Sequence, residues 1–260
     1  GSAKNNADTF AKVGDSITDT GSFLMDIGCG AEDLGAYSNL ASTVNYFRAR
    51  NFPSNYTATW CGTANSFSAF SPAAVSGWTA DRALDTNELD SQYRSSCPAP
   101  YNTPLACELY RTKPSVALIM FGTNDVDRSA DPSAFKSQLG QIIDTTIAAR
   151  VIPVLSTIPP RLDSVGTRVA AYNQAILDLG TEKNIPVINY WAALQGLPNQ
   201  GISSDRIHPN AYNGGDASIL TAAGLRFGYN MRNLVTLQAL DTLRTNVLLS
   251  NTAPTPTPAP

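Results

Sequence analysis

The sequence holds one histidine, His208, among 260 residues. That count excludes a metal site built on two or three histidines and a protease helix carrying a pair of zinc-binding histidines. Any imidazole chemistry falls to one residue. Charge is also scarce: 15% of residues are Asp, Glu, Lys or Arg, against roughly a quarter in ordinary soluble domains. With 18 basic and 21 acidic side chains the net charge is −3, which excludes the basic surface that nucleic-acid binding requires. The longest apolar run, Val116 to Phe121, falls far short of the ~20 residues of a membrane span.

The four cysteines, Cys29, Cys61, Cys97 and Cys107, include no Cys-x-x-Cys pair, which argues against a zinc ribbon or a thioredoxin-like site. An even count at wide spacing fits disulfides formed in an oxidising compartment. Three pairings are possible. The local one, Cys29–Cys61 with Cys97–Cys107, closes the short loops and is the expected one; four buried thiols are the alternative. Polarity carried by Ser, Thr, Asn and Gln goes with secreted proteins, so an extracellular location is expected. Gly1-Ser2 reads as a cloning scar and residues 1–8 as a lead-in, residues 9–250 as one domain, and 251–260 as a Pro/Thr-rich linker. Such a linker is extended and partly stiff, and it either leads to a further module or simply ends the chain. Asn55-Tyr56-Thr57 matches a glycosylation sequon.

Short apolar runs bounded by turn residues suit strands covered on both faces. They fall at Phe10–Val13, Ala73–Val75, Val116–Phe121, Val151–Leu155 and Ile185–Ile188. Helical spacing alternates with them over Tyr37–Arg50, Ala134–Ala149, Thr167–Lys183 and Leu225–Leu249. This alternation predicts an α/β fold with a parallel sheet. Ligands of such sheets bind beyond the carboxyl ends of the strands. Ser16, Gly77 and Asn124 stand at those ends, and Asp205-Arg206-Ile207-His208 follows later.

A serine needs a base to take its proton, and the base needs an orienting partner. His208 is the available base. Asp205, three residues earlier, reaches the same side of a tight turn and can accept the ring Nδ1–H. Pro209 biases the backbone of His208 toward extended conformations. Acyl transfer also needs donors aimed at the developing oxyanion. The N–H groups of Ser16 and Gly77 and the side-chain amide of Asn124 are candidates. No Gly-x-Ser-x-Gly turn is present, which disfavours an ordinary α/β-hydrolase.

Gly14-Asp15-Ser16-Ile17, Ser76-Gly77, Gly122-Thr123-Asn124-Asp125 and Asp205-Arg206-Ile207-His208 resemble, in order, the four sequence blocks of the SGNH (GDSL) hydrolases. The resemblance spans residues 10–210 and departs from the family name in having Ile17 in place of leucine. It implies a flavodoxin-like three-layer α/β/α sandwich with a parallel sheet of about five strands. It also implies a serine esterase mechanism without metal or cofactor. Carried over, Ser16 is nucleophile and first oxyanion donor, Gly77 and Asn124 complete the oxyanion hole, Asp205 orients, and His208 is the base.

Substrate contacts are less defined. Trp78 is a candidate wall of the pocket, whereas Trp60 reads as core. The polar loop from Asn210 to Asp216, with Tyr212 and Asn213, reads as flexible and as lining the pocket. Asp125, Asp127 and Asp131 read as turn and helix-start acids in preference to calcium ligands, and Arg161 as a surface residue in preference to a substrate contact. The expected substrate is a short-chain, acetyl ester of carbohydrate, on an acetylated polysaccharide. A lipase-like esterase, an acyltransferase and a catalytically idle carbohydrate-binding or adhesion module are the alternatives.

Overall fold

Four parallel strands follow one another in space as they do in sequence. They are β1 (Asn6–Gly14), β2 (Pro114–Met120), β3 (Ile152–Ser156) and β4 (Val187–Ile188). The computed structural model describes residues 5–53, 56, 61–62 and 64–250. Gly1-Ser2, Trp60, the Pro/Thr-rich end and the sequon residues Asn55 and Thr57 lie outside the described residues.

The expected fifth strand is reduced to one bridge. Ala74 pairs in parallel with Gly14, through Gly14 N–H to Ala73 O (3.0 Å) and Val75 N–H to Gly14 O (3.1 Å). Pro72 before it has no N–H to extend the ladder. Beyond Val75 the chain turns at Gly77, whose φ of +81° suits glycine. With this segment counted, the order across the sheet is 2-1-3-4-5, that of the flavodoxin-like fold.

Among the described residues, five helices of eight residues or more cover the sheet: α1 (Ala41–Arg48), α2 (Pro104–Thr112), α3 (Ser133–Ala148), α4 (Val169–Lys183) and α5 (Gly228–Leu243). Strand side chains alternate between faces, and each face has its own core. Ala11, Val13, Ala117 and Ile119 meet Phe135, Leu139, Ile142 and Ile143 of α3 and Tyr172, Ile176 and Leu179 of α4. Leu105 and Leu109 of α2 join that core. On the other face Phe10, Val116, Leu118 and Val154 meet Val44 and Phe47 of α1 and Leu234, Leu237 and Leu240 of α5. Burial on both sides explains why the strands read as continuous apolar runs.

Helix boundaries shift from the expected ones where the chain tightens or loosens. A 3₁₀ turn, Gly35–Leu40, precedes α1, and a π turn, Arg244–Leu248, follows α5. Helix α2 is not among the expected helices; Pro98, Pro100 and Pro104 punctuate the chain before it. Its signal is the pair Thr103-Pro104: the threonine hydroxyl accepts the Ala106 N–H (3.2 Å) and proline takes the first helical position. The local disulfide pairing is the one found, with Cα–Cα distances of 5.6 Å for Cys29–Cys61 and 5.3 Å for Cys97–Cys107. Among the described residues, no helix is long and apolar enough to cross a membrane.

Candidate active site

The carboxyl end of β1 makes an abrupt turn at Gly14-Asp15-Ser16. A Cβ on Gly14 would lie 2.4 Å from Thr18 Oγ1 and 2.5 Å from Met120 O, so only glycine lets the strand approach its neighbours this closely. Asp15 then closes the turn. Its carbonyl accepts the Thr18 and Asp19 N–H groups (2.9 and 2.8 Å), and its Oδ1 accepts the Ile17 N–H (3.0 Å). Ser16 emerges at the apex.

His208 arrives from the far end of the chain on a loop held mostly by its own residues, with Leu162 N–H donating to Arg206 O (2.8 Å). Ser203 N–H donates to His208 O (2.8 Å), and Arg206 takes a left-handed φ of +69°. Asp205 organises the rest. One carboxylate oxygen accepts from Ser203 Oγ (2.7 Å), Ile207 N–H (2.9 Å) and His208 N–H (2.9 Å); the other lies 2.7 Å from His208 Nδ1. Partial burial works against the ionised carboxyl. The N–H of Ile207, the Ser203 hydroxyl and the backbone and ring of His208 outweigh it and hold Asp205 well below the usual carboxylate range. The ring's other nitrogen, Nε2, lies 2.8 Å from Ser16 Oγ. Ser16, His208 and Asp205 thus form one hydrogen-bonded chain. A serine so placed can pass its proton to the imidazole as it attacks a carbonyl, and the carboxylate favours the resulting imidazolium.

The other two expected residues flank this chain. Ser76 is fastened to the turn that carries Ser16: its N–H and Oγ both donate to Asp19 Oδ2 (3.0 and 2.9 Å). Gly77 follows, exposed. Asn124 stands beyond β2 and donates one amide hydrogen to Trp78 O (2.8 Å), which leaves its second for a ligand. Trp78 itself is 6% exposed and packs in the main core. Its carbonyl serves the site, and its indole has little surface to offer a sugar.

The Asn210–Asp216 loop is pinned, contrary to the flexible loop expected. Buried Asn230 of α5 accepts the Tyr212 N–H (3.1 Å) and donates to Asp216 O and Ile219 O (both 2.8 Å). Asn210 Oδ1 accepts the Gly228 N–H (2.8 Å). Tyr212 packs edge-on against Phe227, and the Asn213 amide donates to Asp216 Oδ2 (3.2 Å). Both side chains are therefore engaged, Asn213 within its own loop and Tyr212 by Phe227 ahead of α5.

The three acids after β2 are separated by their partners. Asp125 accepts the Ala80 N–H (3.1 Å), Asp127 pairs with Arg161 (2.8 Å), and Asp131 caps α3 through the N–H (3.0 Å) and Oγ (2.6 Å) of Ser133. Arg161 is the clear correction. It is 7% exposed and not a surface residue. Its guanidinium donates to Thr123 O (2.7 Å) and pairs with Asp127 and Asp163. It thereby braces the turn that presents Asn124.

A second buried arginine escaped sequence reasoning. Arg232 of α5, 3% exposed, donates to Ile17 O (2.5 Å) and Thr18 Oγ1 (3.0 Å), and its guanidinium covers the Phe23 ring. It clamps the two residues after Ser16 from below. Burial lowers its pKa to about 10, which leaves it cationic at neutral pH. Beside it, burial raises the Asp15 carboxyl to about 6, opposed by the Ile17 N–H and by the charges of Arg232 and His208. Asp125 is raised to about 7, again chiefly by burial, with Asp15 and Asp81 adding to the effect. The one clue to Arg232 in the sequence is its setting, a charged residue among Asn230, Asn233 and aliphatics on a helix.

A Ser–His–Asp hydrogen-bonded chain at the carboxyl edge of a parallel, helix-covered sheet is the arrangement of a serine hydrolase. Within that class the chain belongs to the GDSL-like lipase/acylhydrolase family, whose pattern matches residues 13–212. Solved structures share the fold. A lipase/acylhydrolase from Enterococcus faecalis is 18% identical, with 89% of this chain and 94% of that one covered, at a TM-score of 0.54. An acetylxylan esterase from Geobacillus stearothermophilus is 19% identical, with 89% and 93% covered, at 0.51. An α/β hydrolase from the metagenome of Lake Arreo is 19% identical, with 90% and 95% covered, at 0.51. No curated protein sequence matches the chain.

Proposed function

We propose that the protein is a secreted esterase that removes short acyl groups, acetyl foremost, from carbohydrate by way of an acyl-enzyme on Ser16. The observation that carries this reading is the unbroken chain Ser16 Oγ, His208 Nε2, His208 Nδ1, Asp205 Oδ2, with contacts of 2.8 and 2.7 Å. Ser16 Oγ attacks the ester carbonyl carbon while His208 takes its proton. The negative charge that develops on the carbonyl oxygen meets the N–H groups of Ser16 and Gly77 and the free amide hydrogen of Asn124. As the tetrahedral intermediate collapses, the C–O bond to the alcohol breaks and the alcohol leaves with the proton from His208. Water then attacks the acyl-serine, His208 takes its proton, and the acid departs with Ser16 restored.

The acetyl-carbohydrate assignment draws on composition and on the acetylxylan esterase of the same fold. Secretion draws on the two disulfides, which persist in oxidising compartments. Hydrolysis of p-nitrophenyl esters from acetyl to long acyl chains, by the wild type and Ser16→Ala, tests the reading. The expected profile peaks at acetyl and falls by about 10⁴-fold or more in Ser16→Ala, with the fold intact by circular dichroism. A peak at long chains would replace the carbohydrate reading by a lipase-like one. Full activity in Ser16→Ala would refute the mechanism.

A further inference from the structure

The segment that carries Gly77 also walls a cleft of about 420 Å³, lined on one side by Val75 and Trp78 and on the other by residues 87–91 and Arg94. That volume lies within the range of small-molecule sites, roughly 300–1,000 Å³. The cleft is held in register with Ser16 by two links. Val75 N–H donates to Gly14 O (3.1 Å), and Ser76 donates twice to Asp19, three residues beyond Ser16. Its near wall, Val75 and Trp78, brackets Gly77, the expected oxyanion donor, along the chain.

The lining is polar where it is exposed. Asn87 spends its backbone N–H and its amide on Asp85 Oδ1 (2.8 and 2.9 Å), which leaves its side-chain carbonyl as an acceptor. Asp90 caps a short helical turn through one oxygen, to Gln92 N–H (2.9 Å), and keeps the other. Arg94 donates from Nε to Leu89 O (3.1 Å) and from Nη2 to Asn87 O (3.5 Å), which leaves further N–H groups. Of the apolar liners, Leu89 and Trp78 are buried and Val75 is half-buried. Hydroxyl groups, each both donor and acceptor, would find a complement of both kinds.

We propose that this cleft is the subsite for the alcohol half of the ester, that the alcohol is a saccharide, and that Asn87 and Arg94 bind its hydroxyls. The proposal rests on the ester-hydrolase reading of Ser16 and names the substrate class of that site.

The test compares the wild type with the double variant Asn87→Ala/Arg94→Ala on p-nitrophenyl acetate, which carries no sugar, and on an acetylated xylo-oligosaccharide. The expected result is a loss of about tenfold in kcat/KM for the oligosaccharide, mostly through KM, with p-nitrophenyl acetate changed less than twofold. Titration calorimetry of the oligosaccharide into Ser16→Ala, with and without the two further substitutions, should show the same loss in affinity. Equal losses on both substrates, or none on either, would overturn the subsite. Wild-type turnover of p-nitrophenyl acetate without turnover of the oligosaccharide would also overturn it, while leaving the esterase reading standing. No turnover of either would overturn both. If the double variant unfolds, Asn87→Ala alone is read in the same assays, with about a threefold loss expected on the oligosaccharide only; no selective loss would again overturn the subsite.

Discussion

The nucleophile turn and the histidine loop meet at one hydrogen bond but are built in opposite ways. Ser16 sits on a buried turn whose shape depends on a distant partner. Arg232, 215 positions along the chain, holds Ile17 from below, and α5 must pack before that contact exists. His208 sits on an exposed loop, its side chain 38% open to solvent, and its own backbone and ring are gripped from within six residues, with one distant tie of the loop through Leu162 N–H to Arg206 O (2.8 Å). The proposed base is thus placed largely by local hydrogen bonds, and the proposed nucleophile by the core.

The contrast can be broken from either side. Asp205→Asn strikes the histidine loop. Asparagine keeps an oxygen for the Ile207 and His208 N–H groups but loses the charge facing Nδ1. The expected drop in kcat is about 10⁴-fold, with a change in stability below about 1 kcal/mol because the site is exposed; steady-state kinetics and urea titration read the two effects. A large loss of stability would show that the loop is not self-supporting. Arg232→Met strikes the other side. It removes a buried cation that holds a buried carbonyl and faces Asp15, a class of change that costs about 3–5 kcal/mol. Urea titration should show that loss, and any folded fraction should have lost kcat rather than KM. Arg232→Lys should recover part of it. Unchanged stability in Arg232→Met would remove the clamp from the account.

A smaller effect sharpens the comparison through pH. The folded-state carboxyl of Asp125, at about 7, lies above the ~3.9 of an unfolded aspartate. Over that interval the folded protein holds the proton more tightly, so this group's contribution to stability is full at low pH and is lost as pH rises through about 7. Asp125→Asn removes that slope. The expected gain is about 2–3 kcal/mol at pH 8 relative to pH 5, or a Tm difference narrowed by about 5–10 °C. An unaltered slope between those two pH values would assign it to Asp15 or to other groups. Asp205 has the opposite sign. Held below the usual carboxylate range, it contributes stability present above about pH 4 and lost as pH falls through its lowered value.

Legibility in the sequence follows the same division. β1, β2 and β3 are readable because both faces are buried and the runs are unbroken. The Ser16, Gly77, Asn124 and Asp205–His208 blocks are readable because each is a short local motif at a strand end or turn. The segment at Ala73–Val75 has the residues of a strand but is stopped by Pro72 and Gly77, which composition alone underweighted. Arg161, Arg232 and Asp19 were not readable as parts of the site. Their partners lie 38, 215 and 57 positions away, and nothing local marks an arginine as buried until its acceptors are in place. The pinned Asn210–Asp216 loop is the same case, since its rigidity comes from Asn230 on α5 and not from its own glycines.

The central claim is that Ser16 is the acylated residue. The most direct measurement is mass mapping of the protein after reaction with a p-nitrophenyl phosphonate, which forms a stable bond to an activated serine. The account predicts one adduct, on the peptide that contains Ser16, accumulating in proportion to the loss of esterase activity and absent in His208→Ala. An adduct on another residue that tracks the loss of activity, or full activity in protein quantitatively labelled at Ser16, would contradict it.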